Sequence, residues 1–282
     1  MNAVRSLLDR LGEDRRLEAP AEKVADAVRP WFAPRSVRNA LSGVWLGHRL
    51  HPLLTDVVIG TWASAGLLDA LGGRDSQRAV RRLLAAGVVA AVPTAAAGLS
   101  DYTETYEHGR RLAFVHGLIA DVALALQVAS LLARRRGDDT TGRLLSLAGL
   151  GVVGAAGYLG GHLSYVLGVG VDHTAFDEGP KDWEDVADAG AVGTSPMVVR
   201  AGEHEVLLAR VDGQLVALAN RCSHAGWPIA DGDVEDGCIT CPYHGSIFRL
   251  RDGAGVRGPA ASPQLRYQVR ERAGRIEVRG PR

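Results

Sequence analysis

Lysine is almost missing from this chain, and cysteine is rare. Of 32 basic side chains only Lys23 and Lys181 are lysine, so the arginine bias reads as genomic composition and not as a binding device. Charge of one sign is also missing, because the 32 basic residues are matched by 32 acidic ones. That balance lacks the basic excess of a nucleic-acid-binding surface, and no nucleic-acid partner is expected. The three cysteines, at 222, 238 and 241, crowd into one short stretch, which is not the pattern of a disulfide framework. Residues 1–40 alternate charged and apolar side chains without the apolar core of a secretory signal, so none is expected.

The 282 residues suggest two domains. Residues 1–43 are polar and mixed. Within them Val24, Val28, Trp31 and Phe32 fall on one helical face, a pattern that suits a packed helix or an amphipathic helix on a membrane surface. Pro30 ends or kinks that helix. Residues 44–171 carry four apolar segments, Leu53–Leu71, Leu83–Leu99, Leu112–Ala133 and Leu144–Val171. Their lengths suit a bilayer core. Their many Gly and Ala residues allow close helix approach, and the second and fourth lack the polar stripe of a soluble bundle helix. A lipid-bilayer partner is therefore expected. Asp56, Asp69 and Asp121 are costly within spans, although Asp56 and Asp69 fall near the span ends. Residues 172–195 are acidic and polar and read as a linker. From 196 to 282 the pattern is β, with "EVLLARVDGQLVALAN" forming two apolar runs about an Asp-Gly turn and "RYQVRERAGRIEVRG" repeating it. The fold class expected is α+β by separate domains, a four-helix transmembrane bundle followed by an all-β domain.

In "NRCSHAGWPIADGDVEDGCITCPYHGSIF" stand two Cys-His pairs, Cys222-x-His224 and Cys241-x-x-His244. Two thiolates and two imidazoles suit zinc in a closed tetrahedral site, and they equally suit a mixed-ligand [2Fe–2S] centre. The count does not choose between them. The surroundings favour the cluster, since both pairs lie in Gly- and Pro-rich turns and no helical pattern accompanies His244. Ser246 is placed to donate a hydrogen bond that would tune the cluster's potential. Cys238 is left over and reads as a buried strand residue.

These residues, with "CPYHGSIFRLRDG" and the trailing "RGPAASP", resemble Rieske ferredoxin-type domains from about Pro196 onward. The resemblance implies Cys222 and Cys241 on one iron, His224 and His244 on the other, and a covering proline loop at Gly258–Pro263. The bc-type Rieske proteins carry a further cysteine in each loop, joined as a disulfide. Here Ala225-Gly226-Trp227 and Tyr243 stand in the corresponding loops, which argues against a high-potential bc-type role. The 87 residues of 196–282 are about what the β fold uses, so one-electron transfer is expected rather than oxygenation.

The apolar segments, with "GHRLHPLLTDVVIG" and "GYLGGHLSYVLGVGVD", resemble a family of uncharacterised four-helix bacterial membrane domains, which implies no activity. Chain order puts His48, His51, His116 and His162 on the side of both termini, with Asp56 at a similar depth. Five residues rotate Asp56 about 140° from His51, which weakens its claim. His51, Asp56, His116 and His162 form a candidate site for haem b or a quinone, beside the alternative that they bond across helices. The function expected is a membrane-anchored Rieske electron carrier that exchanges electrons with a redox partner protein, a haem or a quinone. One alternative is a quinol-oxidising or haem-containing oxidoreductase subunit, and another is a zinc-stabilised β binding module on a membrane anchor. Eight basic residues lie in the loops away from the termini (Arg74, Arg78, Arg81, Arg82, Arg134, Arg135, Arg136 and Arg143). Six lie on the other side (Arg35, Arg38, Arg49, Arg110, Arg111 and Lys181), so the count leans toward an extracytoplasmic Rieske domain.

Overall fold

The computed structural model describes residues 3–281. Its helices are α1 (Ala3–Glu13), α2 (Glu18–Val28), α3 (Arg35–Ser42), α4 (Leu50–Leu71), α5 (Gln77–Tyr102), α6 (Glu107–Arg135) and α7 (Asp139–Tyr165). Its strands are β1 (Glu184–Asp188), β2 (Met197–Ala201), β3 (His204–Val211), β4 (Gln214–Ala219), β5 (Val234–Glu235), β6 (Cys238–Thr240), β7 (Ile247–Arg249), β8 (Gly255–Arg257), β9 (Gln268–Arg272) and β10 (Arg275–Arg279). The chain divides into two compact units. One holds the chain up to Ala33 and then Leu50–Val169, and the other holds Pro34–Arg49 and everything from Gly170.

In the helical unit α4–α7 are each long and apolar enough to cross a membrane. The expected fourth span ran to Val171, but α7 stops at Tyr165, and Gly168 and Gly170 then take the left-handed backbone that ends helices. Trp62, Leu84, Ala91, Ala123, Leu131 and Val153 belong to one buried cluster among these helices. A Cβ on Gly87 would stand 2.2 Å from the Trp62 indole nitrogen, so only glycine lets α4 and α5 close there.

Asp69 and Arg134, both buried, form an ion pair in which one guanidinium nitrogen donates to Oδ1 at 3.0 Å and the other to Oδ2. Arg134 also donates to Gln77 Oε1 at 2.7 Å and to Ser130 Oγ at 3.3 Å. Arg134 is thus not the loop charge of the topology count; Arg38, Arg49 and Arg110 are buried too, so striking the buried arginines from both sides leaves seven against three. Charge alone did not mark Arg134, since it opens a run of three arginines.

The N-terminal helix faces a different way from the expected one. Ala21, Ala25, Val28 and Phe32 are buried, while Val24 and Trp31 are exposed. Small residues win the inner face because α2 lies close to α5, where Tyr102 donates its hydroxyl to Ala21 O at 2.6 Å. Pro30 does end α2, in a 3₁₀ turn over Arg29–Phe32.

The second unit holds three antiparallel sheets, ordered β1-β10-β9, β2-β3-β4 and β5-β6-β7-β8. The segment read as a linker is built into it, because β1 pairs with β10 from Glu184↔Val278 to Asp188↔Arg275. Acidic side chains hid that strand, yet only Ala187 within it is buried. The Asp212-Gly213 turn has both central residues at positive φ, as the hairpin signal requires, and Asp236-Gly237 and Ala273-Gly274 repeat it. Helix α3, from the segment expected to be a polar N-terminal tail, also belongs here. Asn39 Nδ2 donates to Val256 O at 2.9 Å, and Asn39 Oδ1 accepts from Gly258 N at 3.0 Å.

Candidate metal centre

The two Cys-His loops have unequal ligand spacing but the same backbone. Cys222 N donates to Trp227 O at 2.7 Å, and Gly226 N donates back to Cys222 O at 2.8 Å. Cys241 N donates to Ser246 O at 2.8 Å, and Gly245 N to Cys241 O at 3.0 Å. Each glycine is left-handed, at φ 76 and φ 69. Each sulfur also accepts two amides, those of His224 and Ala225 for Cys222, and those of Tyr243 and His244 for Cys241. The shared signal is Cys-x-x-x-Gly, which sets both loops and which the differing histidine positions conceal.

Like groups pair with like across the loops. The Cys222 thiol donates to Cys241, a bond that together with burial pushes Cys222 up. The same bond draws Cys241 down to about 6, against the opposing effect of burial. The His224 and His244 ring centroids are 4.9 Å apart, edge to face at 81°. Nδ1 of both rings is buried, and that of His224 makes no hydrogen bond. Burial first, then the charge of Arg49, the neighbouring His244 and His173, and Arg38 hold His224 well below the ordinary imidazole range. It is therefore neutral, as a ligand must be. A cleft of about 260 Å³ opens beside His224, lined by His48, Arg49, Asp172, Ser223 and Ser262 among others.

Among the described residues, no three His, Cys, Asp or Glu side chains gather as a single ion would need. Two pairs, one of sulfur and one of nitrogen, with an orphaned buried Nδ1, fit a two-iron group better than one zinc.

Ser246 is fully buried, and its Oγ accepts from Ala260 N at 2.9 Å, which ties the proline loop to the second ligand loop. Its hydroxyl proton remains available to another acceptor. Trp227 and Tyr243, one from each loop, stack at 4.8 Å and 21° and are half exposed. They join the loops by contact where the bc-type proteins use a disulfide. Sequence placed both residues in these loops but did not pair them. Cys238 lies on β6 as expected, although it is half-buried and not buried.

Of the four membrane candidates, the structure brings two together. His51 on α4 and His116 on α6 have ring centroids 6.3 Å apart at 86°. Asp56 is on an exposed position of α4, and His162 is half-buried near the end of α7. Among the described residues, neither makes a ring contact or hydrogen bond with that pair.

A second polar constellation, centred on the buried Tyr267, escaped the sequence reading. Asp177 accepts from the Tyr267 hydroxyl at 2.7 Å and lies 2.8 Å from His204 Nδ1, which fastens the acidic segment to the β unit.

Fold and site define a Rieske-type β domain following a four-helix membrane bundle. A family described as Rieske [2Fe-2S] domain matches residues 182–270, and one described as Predicted membrane protein (DUF2231) matches 47–173. The anthranilate 1,2-dioxygenase ferredoxin subunit of Burkholderia cepacia is 35% identical over 78 residues, which are 28% of this chain and 72% of that protein. Apoptosis-inducing factor 3 of Mus musculus is 30% identical over 81 residues, which cover 29% of this chain and only 13% of that protein. Among solved structures, the ferredoxin of carbazole 1,9a-dioxygenase from Nocardioides aromaticivorans IC177 is 26% identical, with a TM-score of 0.34, over 36% of this chain and 100% of that one. The chain belongs to the Rieske [2Fe-2S] family through its C-terminal part, and its N-terminal part is similar to the DUF2231 membrane-protein family.

Proposed function

We propose that this protein is a membrane-held one-electron carrier in which Cys222 and Cys241 hold one iron of a [2Fe–2S] centre and His224 and His244 hold the other. The observation that carries this reading is the sorting of the four side chains into a sulfur pair and an imidazole pair. When bound, the cluster supplies reversible one-electron transfer. The four amides aimed at the two sulfurs spread the negative charge that the sulfurs carry. Arg38 and Arg49 add positive potential at His224, which favours taking up an electron. Ser246 donates its free proton toward the same charge, and the Trp227–Tyr243 stack shields both loops from water.

The proteins matched include ferredoxin subunits of dioxygenases, which supports a redox partner protein as one end of the electron path. The histidine pair of the helical unit supports a second redox group, haem or quinone, as the other. A zinc-stabilised binding module is the weaker reading, because a single ion needs its ligands gathered at one point.

The test is EPR and metal analysis of the detergent-purified full chain. A mixed-ligand [2Fe–2S] signal on reduction, with about two iron per chain, is the expected result. A colourless protein with one zinc per chain would remove the proposal.

A further inference from the structure

His51 and His116 are held alike, each by the second helix of its own hairpin. His51 Nδ1 lies 3.0 Å from Thr94 O on α5, and His116 Nδ1 lies 3.0 Å from Ala156 O on α7. A carbonyl only accepts, so each Nδ1 carries the ring proton and each Nε2 carries a bare lone pair. Four residues after each carbonyl comes a glycine. A Cβ on Gly98 would stand 2.9 Å from His51 Cε1, and one on Gly160 would stand 3.3 Å from His116 Cε1. The hairpins α4–α5 and α6–α7 thus repeat one device, an imidazole tied by Nδ1 and laid against a glycine.

Two imidazoles with bare Nε2 atoms cannot hydrogen-bond to each other through them, since both are acceptors. Charging either ring within a membrane span is costly. A metal centre satisfies both. A metal–imidazole bond is about 2.0–2.1 Å, and the ring centroid lies about 1.1 Å behind the nitrogen, so two rings on opposite sides of one metal stand about 6.3 Å apart. The observed separation is 6.3 Å. Among the described residues no third His, Cys, Asp or Glu joins the pair. A bare zinc or copper(II) ion would be short of ligands, whereas a tetrapyrrole brings four nitrogens of its own and needs only two axial ones.

We propose that His51 and His116 are the axial ligands, through Nε2, of a haem b iron held across the two hairpins. This deepens the electron-carrier reading by naming the second redox group, and its role rests on that reading although its occupancy does not. Such an iron takes one electron from a reduced [2Fe–2S] centre, passing from ferric to ferrous while that centre is oxidised, and no bond to either imidazole breaks.

The experiment is a hemin titration of the detergent-purified full chain, followed optically, with haem extraction and zinc and copper analysis alongside. The expected result is a six-coordinate low-spin spectrum saturating near one haem per chain. His51→Ala and His116→Ala should each abolish it, and Gly98→Val should lower affinity about tenfold by pushing the His51 ring off its seat. His116→Gly with added imidazole should restore the spectrum, which separates ligation from folding. Cys222→Ser should lose the cluster EPR signal and keep the haem. A wild-type chain that shows the cluster yet takes up no hemin overturns the haem site alone. Stoichiometric zinc, copper or extracted quinone in its place overturns it too, as does hemin binding that survives both histidine substitutions.

Discussion

The protein carries two histidine pairs, and they are opposites in chemistry. His224 and His244 come from two loops of one small sheet, with centroids 4.9 Å apart. His51 and His116 come from two helical hairpins, with centroids 6.3 Å apart. In both pairs the ring planes stand nearly perpendicular. Two imidazoles side by side on one tetrahedral metal stand about 5 Å apart, and two on opposite sides stand about 6.3 Å apart. The first pair suits a shared tetrahedral iron and the second an axial arrangement. The bonded nitrogen differs as well. In the loops the buried Nδ1 of His224 is bare, whereas in the helices both Nδ1 atoms are engaged by carbonyls, which turns the free lone pair to Nε2. What the backbone does with one ring nitrogen decides what the other is for.

The comparison breaks most completely at the loop ligands. Cys222→Ser, Cys241→Ser, His224→Ala and His244→Ala should each abolish the cluster signal, because no spare ligand has the right spacing. Cys238→Ala should leave it intact, and iron loss in that variant would mean that the ligand set is wrong.

A large effect of another kind is expected at the far end of α4. Asp69→Ala leaves Arg134 buried without its carboxylate, which should cost about 3–5 kcal/mol. A lower thermal midpoint in detergent with an unchanged cluster EPR signal would separate bundle stability from the loop site.

Ser246→Ala should keep the cluster but lower its midpoint potential. One hydrogen bond to a charged group is worth about 1.5–3 kcal/mol, or about 60–130 mV for one electron. An unchanged redox titration would mean that the hydroxyl proton points elsewhere. The smallest effect is expected at the loop clasp. Trp227→Ala removes a stack worth about 0.5–1.5 kcal/mol, and iron release to a chelator should quicken accordingly. Equal release rates would show that the stack does not hold the loops.

The legible parts of the fold were those coded by short-range pattern. Four long apolar runs and an Asp-Gly turn between β runs need no partner to be recognised, and the helices and the hairpin are there. The strand over Glu184–Asp188 was not legible, because four of its five residues are not buried and what makes it a strand is β10, some ninety residues on. Arg134 was misread for a similar reason. Its neighbours Arg135 and Arg136 look the same in sequence, and only Asp69 on another helix marks it as buried.

The sequence by itself determined the two-part architecture and singled out the two Cys-His pairs, because such a pair and its turn are local in the chain. Only the tertiary structure decided which membrane histidines meet, since His51 and His116 are brought together by packing between hairpins. It also decided that Asp56 and His162 stand apart from that pair. A few ångströms and a ring tautomer separate a ligand from a packing residue, and both are set by carbonyls and glycines on helices that the local pattern does not see.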